Sequence, residues 1–140
     1  VYTRENIVER VKDLTGGAGV PVVFDSVGRD TFMASLDCLQ PRGLMVSYGN
    51  ASGAVEPFSP GVLAAKGSLF LTRPTLATYI GTREELDAAT TELFDVVQSG
   101  AVKVEVSQVF ALKDAAQAHR DLEARKTTGS TVLMMEGKES

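Results

Sequence analysis

The stretch Val20-Pro21-Val22-Val23-Phe24-Asp25-Ser26-Val27-Gly28 (VPVVFDSVG) decides how this chain folds. An apolar run of strand length, rich in valine, reads as a buried strand, and the Asp-Ser-Val-Gly that ends it reads as a loop. Pro21 is tolerable only because it stands near the strand's start. Downstream, Phe32, Met33, Leu36 and Leu39 recur at helical spacing until Pro41-Arg42-Gly43 breaks the pattern and Leu44-Met45-Val46-Ser47-Tyr48 begins a second strand. A crossover of that length holds a helix and is too long for a hairpin. The two strands are therefore expected to run parallel, with a right-handed connection.

Working outward, Ile7, Val8, Val11 and Leu14 form a helical stripe that Gly16-Gly17 stops, and a loop rich in Gly, Ser and Pro leads to a short helical piece opened by Ser59-Pro60. Ser68-Leu69-Phe70-Leu71-Thr72 is a third strand, stopped by Pro74. Alternating α and β elements with continuous apolar strands predict an α/β fold built on a doubly wound parallel sheet, with three strands of the usual six. Gly16-Gly17-Ala18-Gly19 follows a helix and precedes a strand, the reverse of a phosphate-binding loop, so it reads as a helix stop. Further on, Thr82-Arg83-Glu84-Glu85 has capping-box spacing, with Leu86, Ala89, Leu93, Val96 and Val97 as the buried stripe behind it and Gly100 as its end. Val102 to Phe110 alternates like a half-exposed strand, Leu112, Ala116, His119 and Leu122 mark an amphipathic helix, and Thr131 to Met135 is a last short strand.

The 140 residues are 44% hydrophobic and 23% charged, with a formal net charge of −4, which fits one globular unit and argues against nucleic acid as a partner. One Cys and one His cannot supply the four ligands of a structural zinc site, and a lone Cys38 makes no internal disulfide; the expectation is a cytoplasmic protein without structural metal. No run of about 20 apolar residues spans a bilayer. The chain starts at Val1 without an initiator Met, so its length reads as the remainder of a longer chain.

In a parallel sheet every strand points the same way, so the three loops Asp25-Ser26-Val27-Gly28, Ser47-Tyr48-Gly49-Asn50 and Leu71-Thr72-Arg73-Pro74 share one edge, the edge where ligands bind. Gly28 and Gly49 let backbone approach a ligand, and Ser26, Ser47 and Asn50 offer hydrogen bonds to ribose or carboxamide groups. One such loop alone is ordinary loop chemistry; three on one edge point to a site. Arg73, held extended by Pro74, either faces a cofactor or pairs with a carboxylate. Asp25 reads as an acid hydrogen-bonded to loop amides, His119 as a packed histidine and Cys38 as a small hydrophobe, so no catalytic side chain is nominated. Tyr2 is either a surface aromatic or a phosphate contact.

The segments Val23 to Thr31, Ser35 to Leu39 and Arg42 to Asn50, with Lys66-Gly67-Ser68-Leu69, Thr72-Arg73-Pro74, Ala118-His119, Leu122-Glu123 and Arg125-Lys126-Thr127-Thr128-Gly129, resemble the medium-chain dehydrogenase/reductase superfamily. More narrowly, they resemble its zinc-free, NADPH-dependent quinone oxidoreductases related to zeta-crystallin. The resemblance implies a parent about twice as long. Residues 1–99 would be part of its Rossmann dinucleotide-binding domain, carrying the second half of that Rossmann-type sheet, and residues 100–140 the C-terminal segment returning to its catalytic domain. It also implies roles. Tyr2 would help hold the adenosine 2′-phosphate, Ser26 would line the cofactor cleft, and Ser47, Tyr48, Gly49 and Asn50 would lie on the nicotinamide side. Leu71, Thr72 and Arg73 would follow the last Rossmann strand, and Arg125 would return to contact the cofactor.

The activity so implied is hydride transfer from NADPH to a quinone, without a metal or a covalent nucleophile. An enoyl or alkenal reductase of the same superfamily is the alternative. The 140 residues alone would be an inactive, dimerising fragment, because the glycine-rich loop that anchors a pyrophosphate is not among them. The edge strand Ser68 to Thr72 would pair with its twin to make a homodimer, and an unprotected apolar edge supports that independently.

Overall fold

The computed structural model describes residues 4–135. The chain forms two compact units, Val1–Gly81 and Thr82–Ser140. The first contains α1 (Ile7–Thr15), β1 (Val20–Asp25), α2 (Phe32–Asp37), β2 (Leu39–Ser47), α3 (Gly61–Ala65), β3 (Phe70–Thr72) and α4 (Leu76–Tyr79). The second contains α5 (Arg83–Gln98), β4 (Val106–Ala111), a 3₁₀ turn at Leu112–Asp114, α6 (Ala115–Glu123) and β5 (Ser130–Met134).

The first unit begins with a capped helix. Asn6 Oδ1 accepts from the amides of Val8 at 3.1 Å and Glu9 at 3.4 Å, satisfying two amides that a helix start leaves orphaned. Gly16 ends α1 in the left-handed region at φ 60°, the helix stop expected of it. Of the α1 stripe, Ile7, Val8 and Val11 are half-buried, whereas Leu14 is exposed.

The strands form one sheet in the order β1-β2-β3, and both pairings are parallel. The mixed α/β architecture with parallel strands is the one the sequence predicts. β2 is the central strand and carries the core: Met45 is fully buried, packed with Phe32, Leu36, Leu39 and Leu69, and Val20, Val23, Val62 and Leu63 close around them. Burying side chains such as Leu36 and Met45 contributes about 1.5–3 kcal/mol each.

Three details depart from the sequence reading. β1 is not buried on both faces: Phe24 is 70% exposed, because no element among the described residues covers the face of the sheet that carries it. Leu39 belongs to β2 and not to the preceding helix, and Pro41-Arg42-Gly43 does not separate the elements. The strand runs through them as a bulge, with Val20 opposite Leu39 and Val22 already opposite Leu44. Arg42 takes φ 62° there, and its amide donates to Gly67 O at 2.8 Å, which ties the bulge to the turn before β3. β3 is shorter than expected; Ser68 is instead left-handed, at φ 57°.

In the second unit the capping box forms as predicted. Thr82 Oγ1 accepts from the Glu85 amide at 3.2 Å, and Glu85 Oε2 accepts from the Thr82 amide at 2.9 Å. The stripe behind it, however, is not buried: no residue of α5 is, and Leu86 and Leu93 are exposed. The period is that of an amphipathic helix, but no element among the described residues of this unit covers the face. β4 and β5 pair in parallel around α6, and β4 starts only at Val106. No helix of the described residues is long and apolar enough to cross a membrane.

Candidate functional site

β1, β2 and β3 end at Asp25, Ser47 and Thr72, and the ladder sets Asp25 opposite Ser47 and Val46 opposite Thr72. The three loops therefore leave one edge of the sheet, as parallel pairing requires. At that edge lies a cleft of about 260 Å³. Ser47, Asn50 and Arg73 give it a polar side; Phe32, Val55, Phe58 and Leu71 give it an apolar one. The rings of Phe32 and Phe58 are tilted against each other with centroids 5.1 Å apart.

Arg73 holds the polar side together. Its Nη1 donates to Ser47 O at 2.8 Å and to Gly49 O at 3.3 Å, so the guanidinium bridges the end of β3 to the loop after β2. No carboxylate among the described residues pairs with it. Arg73 is thus a brace for two carbonyls that also lines the cleft, and of the two sequence readings the pairing with a carboxylate is the one not found among the described residues.

Four of the ten predicted site residues, Ser47, Asn50, Leu71 and Arg73, come together in this cleft. Ser26 is exposed and lines a separate depression of about 400 Å³ with Ile7, Val11, Val23 and Cys38. Gly49 is needed for packing: a Cβ there would lie 2.2 Å from Ser26 O. Tyr48 is 52% exposed and lies outside the lining of this cleft, while Thr72 is half-buried at the end of β3. Arg125 belongs to the second unit, exposed just after α6 and left-handed at φ 56°. Tyr2 lies outside the described residues.

Sequence reasoning missed Phe32, Val55 and Phe58. Phe32 reads as helix core, which it also is, and Val55 and Phe58 sit in a loop whose Gly, Ser and Pro content hides them. The available signal was Phe58, an aromatic in a polar loop with no periodic apolar partner.

Asp25 takes the role that the sequence favours for it. Its buried carboxylate accepts from the amides of Val27 and Gly28 and from the hydroxyls of Thr31 and Ser35. Burial alone pushes this carboxyl up, but the hydrogen bonds, led by the Gly28 amide, outweigh it and hold it below the usual carboxylate range. Cys38 is buried; burial, and then the charge of Asp37, push its thiol up, so it is a poor nucleophile. His119 is not packed as expected but exposed, beside Leu122 and Leu133 on a shallow groove of the second unit. Among the described residues no three His, Cys, Asp or Glu side chains gather to hold a metal ion.

The chain is similar to several known proteins. It is 59% identical over 135 residues to a quinone oxidoreductase of Salmonella typhimurium, covering 95% of this chain and 41% of that protein. It is 45% identical over 134 residues to a 2-haloacrylate reductase of a Burkholderia species, covering 95% of this chain and 40% of that one. The crystal structure of Escherichia coli quinone oxidoreductase complexed with NADPH superposes with a TM-score of 0.90 at 55% identity, over 96% of this chain and 42% of that chain. The chain thus spans about two fifths of the length of its relatives. A family model described as zinc-binding dehydrogenase matches residues 1–133, and the chain belongs to that family.

Proposed function

We propose that these residues form the nicotinamide side of the cofactor site of an NADPH:quinone oxidoreductase, which transfers hydride from NADPH to a quinone. The observation that carries the reading is the cleft itself. It lies where ligands bind in parallel sheets, with Ser47, Asn50 and Arg73 facing an apolar wall. Its volume of about 260 Å³ is below the ~300–1,000 Å³ of pockets that enclose whole ligands, so it suits one end of a dinucleotide. A flat ring with a carboxamide and a ribose matches that mixture of walls. The similarity to quinone oxidoreductases, one of them solved with NADPH, supports the choice of cofactor.

NADPH when bound supplies the hydride. The chain's part is to bind and orient it: Phe32, Val55, Phe58 and Leu71 exclude water from the ring, and Ser47 and Asn50 offer polar groups to its substituents. The zinc for which the family is named finds no ligand set among the described residues, and no step is assigned to it. The zinc-free reading rests on likeness to the quinone oxidoreductases.

The same reading places residues 1–99 in the cofactor domain and 100–140 in a segment of a catalytic domain. In that reading Tyr48, Gly49 and Thr72 approach the cofactor beside the cleft, Ser26 contacts it from the neighbouring depression, Arg125 is a further cofactor contact, and Tyr2 serves the adenosine phosphate. β3 pairs with its twin in a homodimer, for which its edge position and the 61% exposed Phe70 are the support. We also propose a cytoplasmic location, which the lone Cys38, unable to form a disulfide within this chain, supports.

A second reading is kept because of the 2-haloacrylate reductase: the same cleft would present the cofactor to an activated alkene. Two measurements separate these ideas. Nicotinamide fluorescence on titration with NADPH is expected to show tight binding by the full-length protein and none by the 140-residue chain, which has no pyrophosphate-binding loop. Absence of binding by the full-length protein contradicts the cofactor assignment. Turnover of an alkenal but of no quinone replaces the first reading with the second.

A further inference from the structure

Asp25 lies outside the lining of the cleft, yet both of the cleft's walls lead back to it. We propose that Asp25 is the positioning residue of this site: one buried carboxylate sets the placement of Phe32 on the apolar wall and of Asn50 on the polar wall. That the cleft takes a cofactor rests on the reading above; the coupling rests on the hydrogen bonds alone.

The two carboxylate oxygens divide the work. Oδ1 accepts from the Val27 amide at 2.8 Å and the Gly28 amide at 3.0 Å, which folds the chain after β1 into a fixed turn. Oδ2 accepts from Thr31 Oγ1 at 2.8 Å and Ser35 Oγ at 2.7 Å. Thr31 and Ser35 bracket Phe32 in sequence, at the start and in the body of α2, so fixing their hydroxyls fixes the turn that carries the ring. A buried charge with no cation beside it among the described residues is costly unless donors fill its lone pairs, and here four do.

The turn held by Oδ1 is in turn the template for the loop after β2. The amides of Ala51 and Ser52 donate to Ser26 O at 3.2 Å and Val27 O at 2.8 Å. In the opposite direction, the Arg29 amide donates to Gly53 O at 3.1 Å. Ser52 Oγ donates to Val27 O at 2.8 Å and accepts from the Asp30 amide at 3.0 Å. The fit is close: a Cβ on Gly28 would lie 2.6 Å from Gly53 O. Asn50 sits at the head of this paired segment and accepts the Gly53 amide on its own carbonyl at 2.9 Å. The register of Asn50 against the sheet is therefore set through the turn that Asp25 holds.

An ordinary buried acid would serve stability alone. A positioning residue must also move groups it does not touch, and this is measurable. Amide hydrogen exchange is compared in the 140-residue protein and its Asp25→Asn, Thr31→Val, Ser35→Ala and Thr31→Ser variants. Ala51 and Ser52 have no bond to the carboxylate, so they report the coupling, while Met45 and Val46 in the central strand report global stability. The expected result for the first three variants is a loss of protection at Ala51 and Ser52 of about 10-fold beyond any change at Met45 and Val46, with Thr31→Ser like the parent. Unchanged protection at Ala51 and Ser52, or a fall equal to that of the strand, overturns the proposal. Should Asp25→Asn fail to fold, Thr31→Val and Ser35→Ala decide it in the same way, since each removes a single donor.

A second readout uses the full-length protein. NADPH affinity is expected to fall about 10-fold in Thr31→Val and to recover in Thr31→Ser, with the turnover of bound cofactor nearly kept. Unaltered affinity in Thr31→Val counts against the proposal. Failure of the parent itself to bind NADPH overturns the cofactor assignment, and the exchange experiment still decides the coupling.

Discussion

Arg73 Nη1 stands 2.8 Å from the carbonyl oxygen of Ser47, and this contact joins the ends of two parallel strands at the edge where the cleft opens. With the Gly49 carbonyl at 3.3 Å it forms a two-point brace that depends on the reach of a guanidinium. A lysine keeps the charge and loses that geometry. Arg73→Lys is expected to lower stability by about 1–2 kcal/mol, since two partly exposed charge-assisted hydrogen bonds are weakened. Thermal denaturation checks this; an unchanged midpoint means that the brace contributes nothing.

Gly49 and Gly100 make a contrasting pair. A Cβ at Gly49 meets Ser26 O at 2.2 Å, a backbone atom that cannot step aside, whereas a Cβ at Gly100 meets nothing within 4 Å. Gly100 needs its freedom only for φ 75°. Gly49→Ala is expected to cost about 3 kcal/mol through overpacking, and Gly100→Ala about 1 kcal/mol through backbone strain. Urea midpoints of the two variants test the order, and equal losses contradict it.

Asp25 gives the protein a signature in acid. Its folded-state carboxyl is held below the ordinary value of 3.8, so its contribution to stability is complete above that value and is lost as pH falls through the lowered one. The difference in urea midpoint between the parent and Asp25→Asn is expected to stay constant from neutral pH down to about pH 5 and to narrow below about pH 4. A difference that widens in acid reverses the sign and contradicts the hydrogen-bond account.

Arg125 occupies the left-handed region at φ 56° directly after α6, its amide donating to Leu122 O at 3.0 Å, a place that usually belongs to glycine. Arg125→Gly is expected to raise stability by about 0.5–1 kcal/mol, the relief of strain less the extra entropy of glycine in the unfolded chain. If Arg125 contacts the cofactor as proposed, the same variant of the full-length protein weakens NADPH binding. A gain in stability without loss of affinity leaves Arg125 with no cofactor role.

The α/β order and the parallel strands were legible because valine-rich runs and helical stripes alternate, and crossover lengths forbid hairpins. What was not legible has local physical causes. Pro41-Arg42-Gly43 has the composition of a break but forms a bulge, because Arg42 adopts a positive φ and its amide finds Gly67 O. The stripe of α5 has the right period, yet burial depends on what covers a face, and period alone says nothing of that. At the site, the edge was predictable from parallel pairing, which is why Ser47, Asn50, Leu71 and Arg73 converge. The apolar wall was not, since Val55 and Phe58 reach the cleft from an irregular loop with no periodicity to read.

The most direct test of the account is the oxidation of NADPH by the full-length protein, followed by absorbance of the reduced nicotinamide with a quinone as acceptor. The account predicts quinone-dependent oxidation that falls at least about 10-fold in Asn50→Ala, which removes a polar group from the cleft without touching the core. Binding of NADPH with no oxidation by any quinone, or oxidation indifferent to Asn50, would contradict it.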